Sequence, residues 1–138
     1  MPEQKICCFL GPERFDHKQK VSQTLKAEIE RLIEKGVTSF NIGAGRKLDT
    51  MAALYILLLK NSYPEVRLHY IVPGIKMVRP RENEFINTRL LFKADTIHIV
   101  NEDEQIHRIF QNAGYCVVLP GYEITDKKQG ITMIPLAV

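Results

Sequence analysis

Short apolar runs alternate along the chain with longer stretches in which apolar residues recur every three or four positions. Ile6-Cys7-Cys8-Phe9-Leu10 is unbroken, has the length of a strand and stops at Gly11-Pro12, which predicts a strand covered on both faces. From Lys18 to Lys35 the apolar positions Val21, Leu25, Ile29, Leu32 and Ile33 form one helical stripe, and Gly36 stands where a helix C-cap belongs. Thr38–Ile42 reads as a second strand running into Gly43-Ala44-Gly45. Asp49 suits the N-cap of the next helix, which extends to about Asn61. That helix is apolar almost all round from Met51 to Leu59, a pattern that suits burial on more than one side or the face of a homodimer.

Val66–Val72 is a third strand, stopped by Pro73-Gly74, and Pro80 can open a helix over Glu82–Lys93. Thr96–Val100 is a fourth strand, Glu102–Asn112 a short helix, and Tyr115–Leu119 a fifth strand before Pro120-Gly121. Ile131–Ile134, after a turn at Asp126–Gly130, reads as an edge strand. Strands alternating with helices in this way predict an α/β fold, a three-layer Rossmann-like domain whose mostly parallel sheet has about five strands. A length of 138 residues suits one such domain over residues 1–138.

Composition narrows the function classes. With 45% hydrophobic and 25% charged residues the chain is an ordinary globular one, which excludes disordered and collagen-like classes. A net charge of +3 is too small by itself to indicate nucleic acid or a membrane surface. Cys7, Cys8 and Cys116 are odd in number, and neighbouring strand cysteines point to opposite faces, so a reducing compartment is expected. No closely spaced Cys or His pair suggests zinc. The apolar stretch after Lys5 is too short for a signal peptide and Met51–Leu59 too short for a membrane span, so the expectation is a soluble, cytoplasmic domain without metal or cofactor.

In sheets of this kind ligands bind beyond the carboxyl ends of the strands, where the strand order reverses. Three loops at predicted strand ends combine glycine or proline with cations: Gly11-Pro12-Glu13-Arg14, Gly43-Ala44-Gly45-Arg46-Lys47-Leu48-Asp49, and Pro73 to Arg81. Glycines admit close backbone approach to an anion, and Arg can fork onto phosphate oxygens. Converging on one edge, these loops form an anion site. The third glycine of a dinucleotide fingerprint is replaced by Leu48. No Ser-His-Asp order or paired-carboxylate motif is present.

The same loops carry a resemblance. Ile6-Cys7-Cys8-Phe9-Leu10-Gly11-Pro12-Glu13-Arg14 is similar to the "CCFTGHR" opening of a bacterial family of unknown function in the SLOG superfamily. Gly36–Phe40 through Asp49–Ala53 resembles that family's "GVTDFISGGALGFDTMAA", and Tyr63–Leu68 resembles its "YPxIxL". Ala94–Val100 is similar to its "ADxVIxV". The chain departs from the pattern in lacking the histidine of the first turn, with Arg14 one place later, and the serine and last glycine of the second loop.

The resemblance implies a pocket for a nucleotide or sugar phosphate at Gly11, Arg14, Gly43, Ala44, Gly45, Arg46 and Asp49, with Lys47 as a further charge partner. Backbone amides of the two turns would hold the phosphate, and Asp49 would accept from a ribose hydroxyl or cap its helix. One alternative is an N-glycosidase or phosphoribohydrolase acting on nucleoside monophosphates, for which Glu13, Asp49, Glu82 and Glu84 are the candidate carboxylates. Another is a non-catalytic interaction protein with a degenerate pocket. Nucleic-acid binding through Lys76, Arg79 and Arg81 is the weakest reading, since no aromatic residues interleave with the cations.

Overall fold

A computed structural model describes residues 5–12, 15–43, 47–74, 92–119 and 130–136. The elements run β1 (Lys5–Leu10), α1 (Lys18–Glu34), β2 (Val37–Gly43), α2 (Lys47–Leu59), β3 (Arg67–Pro73) and β4 (Thr96–Val100). A 3-10 turn at Glu102–Glu104 then leads into α3 (Gln105–Phe110), followed by β5 (Tyr115–Val118) and β6 (Thr132–Pro135). The expected helix over Glu82–Lys93 falls mostly outside the described residues.

Among the described residues all six strands pair in parallel, in the order β4-β3-β2-β1-β5-β6. The sheet is therefore one strand larger than the five expected, because Thr132–Pro135 pairs along β5 and closes that side as an edge strand. β1 is central, with Cys7 level with Phe40 of β2 and with Tyr115 of β5. A strand paired on both edges and covered on both faces has no need of polar alternation, which is why Cys7 to Leu10 is buried without a break.

The two faces have separate cores. On one, Cys7, Phe9, Phe40, Ile42, Leu68 and Tyr70 meet the stripes of α1 and α2, and the Phe9 and Phe40 rings stack with centroids 6.0 Å apart. On the other, Cys8, Leu10, Ile71 and Cys116 pack against Ile109 and Phe110 of α3. Adjacent Cys7 and Cys8 thus enter opposite cores, as strand alternation requires.

The predicted stripe of α1 is the buried one: Val21, Leu25, Ile29, Leu32 and Ile33. The helix starts at His17, which takes a left-handed conformation (φ 57°, ψ 44°) and makes no side-chain cap; its carbonyl accepts from Val21 N–H at 2.9 Å. It stops at Gly36, whose φ of +104° ends the helical path. In α2, Ala52, Ala53, Ile56 and Leu59 are buried, but Leu54 and Leu58 are 49% and 55% exposed. An all-apolar helix carries no stripe from which to read its buried side, and this one is covered on only part of its girth.

Candidate functional site

The chain winds from β1 outward to β4 and then returns to place β5 on the other side of β1. Strand order therefore reverses between β1 and β5, the position at which open α/β sheets leave a crevice. Beside that reversal the segments that follow β1 and β2 emerge at the carboxyl edge of the sheet, and a cleft of about 620 Å³ between the starts of α1 and α2 is lined by Phe15, Asp16, Lys18 and Lys47. Phe15 and Asp16 belong to the connection after β1; Lys18 and Lys47 are the first residues of α1 and α2. Two helix N-termini, each presenting the positive end of its dipole, thus flank one cleft that also holds two ammonium groups and the Asp16 carboxylate. Phe15 is half-buried against the core of the α1–α2 face and supplies the apolar wall.

Among the residues expected at this edge, Gly11, Gly43, Lys47 and Asp49 are described, and Lys47 lines the cleft, whereas Arg14, Ala44, Gly45 and Arg46 lie outside the described residues. The two glycines are held by packing. A Cβ at Gly11 would stand 2.8 Å from Leu48 Cδ2 and 3.2 Å from Leu119 Cβ, so β1 ends wedged between the start of α2 and the end of β5. A Cβ at Gly43 would stand 3.0 Å from Gln105 Nε2, 3.1 Å from Ile109 Cδ1 and 3.6 Å from Asp49 Oδ2. Gln105 donates from Nε2 to the Ile71 carbonyl at 3.1 Å, and Asn41 donates from Nδ2 to the Ile109 carbonyl at 3.2 Å, so α3 is clamped on β2 and β3 directly beneath Gly43.

Asp49 is the third residue of α2 and not its cap, because the helix begins two residues earlier, at Lys47. A carboxylate in the first turn still faces the same N–H groups and the positive end of the dipole. Its side chain is buried, with the residue 4% exposed. Burial first, and the charge of Asp49 second, push the Tyr70 hydroxyl well above the usual phenol range, so Tyr70 is protonated at neutral pH. Of the other carboxylates considered for hydrolysis, Glu13, Glu82 and Glu84 lie outside the described residues, as do Lys76, Arg79 and Arg81.

Cys7 and Cys8 are not poised as nucleophiles. Burial raises Cys7, and a hydrogen bond with Cys116 together with burial raises Cys8, so both are neutral thiols. Among the described residues no three His, Cys, Asp or Glu side chains come together as a metal site, and no helix is long and apolar enough to cross a membrane.

Sequence reasoning missed Phe15, Asp16 and Lys18 as cleft residues. Lys18 read only as the start of a helical period; that its position opens onto the start of α2 depends on β1 and β2 being adjacent. It also missed the pairing of His69, whose Nδ1 lies 2.6 Å from Thr96 Oγ1 and whose Nε2 lies 3.4 Å from Ser39 Oγ. Those partners come from β4 and β2 and have no sequence spacing to reveal them.

Compared with models of known protein families and with curated proteins, the chain matches none.

Proposed function

We propose that this protein is a binding module of SLOG type that takes a nucleotide or a related phosphate-bearing small molecule at the carboxyl edge of its sheet. The observation that carries the reading is the cleft between the starts of α1 and α2, with Lys18 and Lys47 at its rim. An anion there meets two helix N-termini and two ammonium groups against the single carboxylate of Asp16, a balance that favours phosphate over a neutral ligand. Phe15 offers a surface for a sugar or base, and the sequence resemblance supports the same ligand class.

The test is a thermal-shift screen with mononucleotides, cyclic nucleotides, NAD and ribose phosphates, on wild type, Arg14→Ala and the Lys18→Ala/Lys47→Ala pair. A ligand present at about 100 times its dissociation constant adds about 2.7 kcal/mol to stability, a readily measured upward shift. The expected result is a shift in wild type that both variants reduce. No shift with any compound at millimolar concentration overturns the reading in favour of a protein partner. Release of free base from a bound nucleotide would replace it with the N-glycosidase reading.

A further inference from the structure

The two ends of the sheet are guarded differently. β6 ends at Pro135, which has no N–H to offer a further strand. β4 has β3 as its one strand neighbour among the described residues and runs Thr96-Ile97-His98-Ile99-Val100, with no proline, no charge within the strand and an uninterrupted register. Ile97, His98 and Ile99 are all exposed, Ile99 by 53%. An apolar, unbulged edge of this kind is a template for one more strand.

We propose that β4 pairs antiparallel with β4 of a second copy of this chain, joining two six-stranded sheets across a two-fold axis at His98. The strand is self-complementary in that direction. Pairing centred on His98 sets Ile97 beside Ile99 of the second copy on the α1–α2 face, where Tyr70 and Val72 are their neighbours on β3. It sets Thr96 beside Val100, and the two His98 side chains beside each other on the opposite face. Beyond the strand, the two-fold arrangement brings the end that carries exposed Lys93 of one copy toward the turn that carries exposed Asp103 of the other, on each side of the axis. Glu102, Asp103 and Glu104 are all exposed in the turn after β4, so the acidic end of each copy meets the end that carries Lys93. Parallel pairing would set like ends together, and a translation does not close on itself, whereas the two-fold arrangement uses the same patch on both copies and ends at two.

The experiment is sedimentation of the full chain over about 1 to 500 µM, with far-UV circular dichroism to confirm that each variant is folded. The expected wild-type mass rises toward twice 15.9 kDa. Ile99→Lys, which places an ammonium group on the edge, should weaken association at least about tenfold. Lys93→Glu should weaken it by about two- to fivefold, in line with an exposed ion pair, and Lys93→Glu with Asp103→Lys should restore it. A wild type that stays at 15.9 kDa throughout overturns the proposal. So does a dimer that Ile99→Lys leaves intact, or one that the double charge reversal fails to rescue. Should Ile99→Lys not fold, the charge-reversal pair at two exposed positions decides the matter.

Discussion

Gly11 and Gly43 occupy the ends of two neighbouring strands, and each leaves room for a side chain from elsewhere. At Gly11 a Cβ would stand 2.8 Å from Leu48 Cδ2, the end of a fully buried side chain, and 3.2 Å from Leu119 Cβ, which is tied to its backbone, so an added methyl group must displace packed neighbours. Gly11→Ala is therefore expected to destabilise by about 1–3 kcal/mol, the range for overpacking, seen as a lower urea midpoint at unchanged slope. An unchanged midpoint would show that Leu48 yields freely. The residue type and its place after a strand were legible in the sequence; the reason was not. A glycine that admits a ligand and one that admits a leucine from the next element look alike in the chain, and only the contact separates them. Asp49 shows the same limit: its chemistry near a helix start was readable, but the helix begins at Lys47, and burial among the ends of β2 and α3 depends on residues far along the chain.

Elements were read best where periodicity and both neighbours agreed. The stripe of α1 was fixed by five residues and stopped by a glycine at positive φ, so prediction and structure share the same buried set. α2 lacked such a stripe, and its exposed Leu54 and Leu58 could not be told from its buried residues. β3 and β4 make a pairing whose stability depends on pH. Burial first, then the neighbouring His98, Arg67 and Lys60, hold His69 below the usual imidazole range, with Asp95 pulling the other way. Partial burial works to raise Asp95, but its hydrogen bond from Lys60 at 2.5 Å, the Leu68 amide at 2.8 Å and the charge of Arg67 outweigh it and hold the carboxyl below the usual range. Both folded-state values are depressed, so the unfolded chain takes up each proton first. The contribution of these two groups to stability is thus full above about pH 6.5, and is lost as pH falls, through His69 first and through Asp95 below about pH 4. The expected measurement is a urea midpoint that drops between pH 7.5 and 5, with a smaller drop in His69→Gln. A midpoint that rises on acidification would contradict the assignment.

At the scale of the whole molecule, the reversal of strand order that opens the carboxyl edge also divides the chain by distance. β1 meets β2 across the short α1 crossover, yet its other edge is closed by β5, with Cys8 level with Cys116. The first contact closes a modest loop; the second waits for nearly the whole chain. During synthesis, Cys7 to Leu10, the most apolar strand in the sheet, therefore keeps one side open until the last quarter of the protein has emerged. A chain stopped after β4 would present that side permanently. Pulse-labelled hydrogen exchange during refolding should accordingly find the β1–β2 amides protected before those of β5, and simultaneous protection of all three would mean that the long-range pairing nucleates the fold. The strand at the centre of the finished molecule is the last to be enclosed, and the growing chain is most prone to stick to its neighbours while that strand is still half made.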